Sequence, residues 1–308
     1  MPLRFTFRQL EYLVAVGDVG TIAMASQKIN VSSPSISAAI SQLEAEFGIQ
    51  LFVRHHAQGL SLTPGGRRVY NAAKHILNDA GSLSDLAAEV AEKPRGPISL
   101  GALTTLAPMV SASLRRSFET DYPDAAFIMR EGNQTELLHM LGRAEIDVAL
   151  TYDLDIPKDV VFEPLISLPP IAILPADHVL ASQTELQVEE LAEEPMILLD
   201  LPISRDYFLS LFHKAGLRAN IAERTSQMSV AQSLVANGYG FGLTNMHRGA
   251  GLAPDGEKLA YVPLTGDVRP MIFGIATKQT DHRSRLVSVF FDHVRARVEE
   301  GNLPGLSG

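Results

Sequence analysis

The chain has 308 residues, 46% of them apolar, no cysteine, and a net charge of −9 from 26 basic and 35 acidic side chains. The absence of cysteine excludes disulfides, cysteine nucleophiles and cysteine-ligated metals. No apolar run approaches the ~18–20 residues of a membrane span. Met-Pro-Leu-Arg-Phe at the start lacks the basic, apolar and small-residue succession of a signal peptide, so a cytoplasmic protein without a membrane partner is expected. The acidity is uneven: residues 1–62 and 63–94 each sum to zero, and the whole −9 falls after residue 94. A neutral N-terminal part remains compatible with nucleic acid, with modest phosphate attraction.

Phe7, Leu10, Leu13 and Val14 mark a first helix, and a second runs from about Thr21 to Ile29. A third runs from Pro34 to Phe47, with Ser33 as its cap, Pro34 at its first position and Gly48 as its stop. Ile36, Ile40, Leu43 and Phe47 lie on one face, and spacings of four, three and four bury that face. Ser35, Ser37, Ala38, Ser41 and Gln42 lie largely away from it. Small polar side chains opposite a buried stripe suit a helix that enters a DNA groove, although many amphipathic helix pairs are only bundle fragments. Leu51–Arg54 and Leu60–Leu62 then read as two short strands around a turn at His55–Gly59, which makes a wing. Ser33, Pro34, Ser35, Ser37 and Gln42 are the candidate groove contacts, and Arg54 is the candidate phosphate contact on the wing.

The run Phe7–Arg54, followed by Leu60–Gly66 (LSLTPGG), resembles the LysR-type transcriptional regulators. Domain length and later layout agree, so the resemblance covers nearly the whole chain. It implies an N-terminal all-α winged helix-turn-helix with a long linker helix, then an α/β two-subdomain effector domain like a periplasmic binding protein. It also implies double-stranded promoter DNA, a small-molecule effector and a second copy of the chain as partners, in a homodimer or homotetramer. RNA polymerase is a further candidate partner. The chain departs from the family at Ser33, where Gln is usual, at Ala38, often basic, and at Asn245, commonly Pro.

Thr63-Pro64 opens a fourth helix that reaches about Glu92. Val69, Ile76, Leu83 and Val90 recur every seven residues, with Ala73, Ala80 and Ala87 between them. This is a coiled-coil seam that suits pairing between chains, the alternative being packing on the chain's own domain. Lys93–Pro97 breaks the helix. Strands at Ile98–Leu103, Phe127–Arg130 and Asp147–Tyr152 alternate with helices at Leu106–Tyr122 and Thr135–Arg143, which implies a mainly parallel sheet. Further strands are expected at Ile171–Leu174, Met196–Leu199, Phe241–Thr244 and 271–277, and helices at Tyr207–Ala215, Met228–Asn237 and Arg283–Val298. The domains expected are 1–63 for DNA binding, 64–93 for the linker helix and 94–308 for the effector domain. Within the last, subdomain I covers about 98–166 and 268–300, and subdomain II about 167–267.

In open α/β sheets ligands collect beyond strand carboxyl ends and at helix N-termini. Three loops qualify: Thr104-Thr105, Pro202–Arg205 and Thr225–Gln227. From these, Thr104, Thr105, Pro202, Ser204, Arg205, Thr225 and Ser226 are candidate effector contacts, each hydroxyl otherwise a plain helix cap. Arg205 is either a fork for a carboxylate or phosphate or an ion-pair partner of Asp200 or Asp206. An anionic metabolite follows from the first alternative. The family resemblance adds Tyr152 and Thr244. His178 reads as structural. No histidines show zinc-ligand spacing beside a third ligand, and no cofactor motif or nucleophile–base pair is legible. A regulator is therefore expected. A solute-binding protein without a transcriptional role is the alternative, which residues 1–94 disfavour.

Overall fold

The computed structural model describes residues 4–55, 59–89, 94–246, 251–279 and 283–303, with side chains described outside 54–55 and 82–89. The chain divides into two compact units, the first of residues 1–93 with 143–145 and the second of 94–142 with 146–308.

In the first unit, α1 (Phe7–Val19) opens on a reciprocal cap between Thr6 and Gln9 and stops at Gly20, whose φ of 74° is left-handed. Thr21 caps α2 (Ile22–Ile29). In α3 (Ser33–Phe47) the cap is Ser32, one residue before the predicted one, and its hydroxyl accepts from the Ser35 amide. Strands β1 (Phe52–His55) and β2 (Gly59–Leu62) pair antiparallel, Phe52 opposite Leu62. Part of the predicted wing turn, residues 56–58, lies outside the described residues. The core gathers Leu10, Leu13 and Val16 of α1, Ile36, Ile40 and Leu43 of α3, Leu51 and Phe52. Full burial of each large aliphatic contributes about 1.5–3 kcal/mol. Glu44 accepts from the amides of Leu51 and Phe52 at 2.8 and 3.3 Å, tying the exit of α3 to the wing.

Thr63 caps α4 (Pro64–Glu89), accepting from the Gly66 amide at 2.8 Å. A Cβ at Gly66 would stand 1.9 Å from the Leu51 carbonyl oxygen, so only glycine lets this turn pass. The predicted seam divides. Val69 and Ala73 pack into the unit's own core, whereas Ile76 is 40% exposed. The side chains of Leu83 and Ala87, and Val90 altogether, lie outside what is described.

The second unit runs β3 (Gly96–Leu103), α5 (Ala107–Asp121), β4 (Ala125–Gly132), α6 (Gln134–Gly142), β5 (Val148–Tyr152), β6 (Val160–Leu168) and β7 (Ile171–Pro175). It continues through β8 (Pro195–Leu199), α7 (Ser204–Lys214), β9 (Asn220–Thr225), α8 (Met228–Ala236), β10 (Gly242–Thr244), β11 (Leu259–Pro263), β12 (Met271–Lys278) and α9 (Arg285–Glu299). One sheet has the order β4-β3-β5-β12-β6, with β3 parallel to β4 and β5, and β12 antiparallel to β5 and β6. The other side holds β10-β7-β11 and β8-β9, joined by a parallel bridge from Met196 to Phe241. The chain crosses between the two parts at 169–170 and again at 264–270, so the last strand and helix return to the first subdomain.

Candidate functional site

The groups that can meet a small molecule gather where the two subdomains of the second unit face each other. Strands β3 and β5 end there on one side, and β8 and β10 on the other. The first subdomain supplies Thr105, Met109, Tyr152 and Met271 to a cavity whose other wall is Leu199, Ser204, Phe208, Met228, Gln232, Thr244, Asn245 and Met246. The cavity volume is about 490 Å³ with the open mouth included. Four of the chain's nine methionines line this cavity, and thioether side chains repack readily around irregular shapes.

Thr105 does not cap α5, whose N-cap is Leu106 and which has no side-chain cap. The Tyr152 phenol is pushed up by burial and so stays protonated. Buried Gln134 donates to the carbonyl oxygens of Tyr152 and Leu154 at 3.0 and 2.7 Å and accepts from the Thr151 hydroxyl, which fixes the end of β5. Ser204 is delivered by a strained turn: Ile203 has φ 69°, a conformation that β-branched residues avoid and that costs about 1–3 kcal/mol. Asn245 Nδ2 donates to Leu168 O at 2.9 Å and to Tyr207 Oη at 3.0 Å. Tyr207 in turn donates to Arg269 O at 2.7 Å, and burial raises its phenol to about 12.

Of the predicted effector contacts, Thr105, Tyr152, Ser204 and Thr244 line the cavity, whereas Thr104, Pro202, Arg205, Thr225 and Ser226 do not. Thr104 is exposed, and Thr225 Oγ1 accepts from the Gln227 amide within its own turn. Arg205 follows the ion-pair alternative. Its Nη1 lies 2.8 Å from Asp200 and its Nε 3.1 Å from Asp206, while Arg224 reaches the other Asp200 oxygen at 3.2 Å. These guanidiniums hold the Asp200 carboxyl below its usual range. The argument for an anion thus loses its carrier. His178 caps a short 3-10 turn by accepting from Leu180, as a structural residue does. Among the described residues no cluster of three histidine or carboxylate side chains could hold a metal. No described helix is long and apolar enough to cross a membrane.

Sequence reasoning overlooked Met109, Phe208, Met228, Gln232 and Met271, which belong to helices or a strand rather than to capped loop ends. Three of them are methionines, and two of those, Met228 and Met271, open their elements.

On α3 of the first unit, Pro34, Ser35, Ala38, Ser41 and Gln42 are exposed, Ser33 and Ser37 are partly so, and Ile36 and Leu43 are fully buried. Ser35 Oγ lies 2.7 Å from Ser32 Oγ, and Gln42 Oε1 accepts from Gln9 Nε2 at 2.8 Å. The side chain of Arg54 lies outside the described residues.

Residues 7–67 match the family model described as the bacterial regulatory helix-turn-helix protein, lysR family, and residues 91–299 match that of the LysR substrate binding domain. The solved structure of HinK, a LysR family transcriptional regulator from Pseudomonas aeruginosa, is 33% identical, with 96% of this chain and 99% of that one covered and a TM-score of 0.64. The transcriptional regulator CysB of Haemophilus influenzae is 26% identical over 88% of this chain and 84% of its own. Full-length CbnR in complex with its target DNA is 20% identical with a TM-score of 0.65, over 95% of this chain and 99% of that one, a likeness of fold. A winged helix-turn-helix joined to a two-subdomain substrate-binding domain, with both parts matched, makes this chain a member of the LysR family of DNA-binding transcriptional regulators.

Proposed function

We propose that the chain works as a dimer on promoter DNA, with α3 in the major groove and a small-molecule effector between the subdomains of the second unit. Ser35, Ser37 and Gln42 are the proposed base-reading residues, with Ser33 and Pro34 at the approach to the backbone. The effector contacts are Thr105, Tyr152, Ser204 and Thr244, joined by Gln232 and Asn245. Such a regulator acts in the cytoplasm, where its promoter is.

One observation carries the effector site: a single cavity takes its lining from both subdomains. A ligand that touches both walls binds one relative placement of the subdomains better than another. Only such a difference can shift a conformational equilibrium. The solute-binding alternative accounts for the second unit alone and leaves the polar face of α3 without a role.

The test is a mobility-shift assay with the intergenic DNA beside the chain's own coding region, with and without small molecules extracted from native cells. The full chain should shift the DNA, and Ser35→Glu should abolish the shift. Ser204→Phe, which fills the cavity, should retain binding and lose the response to extract. Unchanged binding by Ser35→Glu removes α3 from the interface, and a full response by Ser204→Phe removes the cavity from effector binding.

A further inference from the structure

Asn245 stands out among the cavity residues. It is 5% exposed, and its Oδ1 has no hydrogen-bond partner among the described residues. The orientation of this amide is not ambiguous. Leu168 O can only accept, so Nδ2 must face it. Tyr207 Oη spends its hydrogen on Arg269 O, so it too accepts from Nδ2. Both amide hydrogens are thereby used, and Oδ1 is left with its lone pairs in a buried site. An unpaired buried acceptor is destabilising, and a donor arriving on a ligand would recover that loss.

The rest of the lining restricts that ligand further. Four hydroxyls and two amides are set among methionine, leucine and phenylalanine, with no charged side chain among the described lining residues. A charged group entering here would be desolvated without a counter-charge. The N-termini of α7 and α5 do little to compensate. The first two amides of α7 already donate to Pro202 O and Leu201 O, Asp206 sits in its first turn, and Pro108 removes a donor from the first turn of α5.

We infer that the effector is an uncharged molecule with an apolar body that donates an N–H or O–H to Asn245 Oδ1. This rests on the proposed role of the cavity as the effector site. Methionine and Phe208 contacts take the apolar body, and the hydroxyls of Thr105, Tyr152 and Ser204 are available to its acceptors.

Four probes of the same chain length separate the alternatives: butyramide, N,N-dimethylbutyramide, butyrate and butylammonium. Their binding to the full chain can be measured by ligand-observed NMR titration. Butyramide should bind about tenfold or more tightly than each of the other three. Asn245→Leu should abolish the preference for butyramide over its dimethyl analogue. The comparison in the unmodified protein stands even if that variant folds poorly. Equal binding of the two amides, tighter binding of butyrate or butylammonium, or no binding by any probe would overturn the inference. Ser204→Phe distinguishes this failure from that of the underlying reading. If butyrate binds best and is lost in Ser204→Phe, the cavity remains the site and only the uncharged-donor inference falls. Butyramide binding that persists in Ser204→Phe lies elsewhere and overturns both.

Discussion

Ser117 on α5 and His293 on α9 meet with Oγ 2.7 Å from Nε2, and Asp121 Oδ2 lies 3.2 Å from the other ring nitrogen. Serine, histidine and aspartate in that order would suggest a hydrolytic triad. Here the serine lies inside a helix with its Oγ also 3.0 Å from the Leu114 carbonyl oxygen, and the imidazole is 9% exposed and edge-on to Phe118. The arrangement reads as a tie between two helices.

That tie should make stability depend on pH. Burial holds His293 below its usual value, opposed by Asp121, while Arg297 also lowers it and Glu300 raises it. In the unfolded chain the imidazole titrates near ~6.5. Between the folded value and that one, the unfolded state binds more protons. The contribution is therefore complete above the unfolded value and is lost as pH falls toward the folded one. Urea unfolding at a series of pH values should show a steeper loss on acidification for the unmodified chain than for His293→Gln. Parallel profiles would remove His293 from the account.

Gln9 should set what Gln42 reads. Gln9 Oε1 accepts from the Thr6 amide at 2.8 Å, so its Nε2 is the atom that reaches Gln42 Oε1. Gln42 is left with Nε2 as its outward donor, which suits purine N7, guanine O6 or thymine O4 in the major groove. Gln9→Glu keeps the cap but presents an acceptor to Gln42. The Gln42 amide should then reverse and favour base donors such as adenine N6 or cytosine N4. Binding-site selection should show a changed preference at one position, worth about 1–3 kcal/mol for a well-made contact. The same consensus from both proteins would refute the relay.

The first unit was legible because its signals are local. Thr21, Thr63 and the stripe from Ile36 to Phe47 act within a turn or two of their own helices. The cap of α3 shifted by one because Ser32 and Ser33 carry the same hydroxyl, and only backbone geometry chooses between them. Strands β6, β9 and β11 were not anticipated. β6 contains Glu163 and Pro164, tolerable because it is a sheet edge, and its place is set by pairing with β12 more than a hundred residues away. β9 is mostly exposed and has no alternating pattern. The rule that ligands collect at strand ends pointed to Thr105 and Ser204, and the family resemblance to Tyr152 and Thr244, all four of which line the cavity. It did not reveal which way the Arg205 side chain turns at the start of α7, and that depends on Asp200, Asp206 and the packing around them.

Arg205→Ala should accordingly preserve the effector response. The guanidinium is committed to Asp200 and Asp206 and is absent from the cavity lining. Its exposed ion pairs are screened by solvent, so the thermal midpoint should move little. The measurement is the dose response of promoter binding to native extract. A right-shifted or abolished response in a fully folded Arg205→Ala protein would restore the arginine to the site.

Two alanines one heptad apart on α4 should respond differently to the same change. Ala73 is 1% exposed in the core of its own unit, whereas Ala80 is only partly buried and follows the exposed Ile76. Ala73→Glu would bury a charge with no space and no partner, so it should unfold the unit that carries α3 and abolish DNA binding. Ala80→Glu meets solvent in a lone chain and should leave circular dichroism and thermal unfolding nearly unchanged. If α4 pairs with a second copy along the ridge of Ile76 and Ala80, the added bulk and like charges oppose close approach. Light scattering should then show a lower mass for Ala80→Glu, and promoter affinity should drop because two DNA-binding units no longer act together. An unchanged mass at micromolar concentration, with folding intact, would exclude this ridge as the dimer seam.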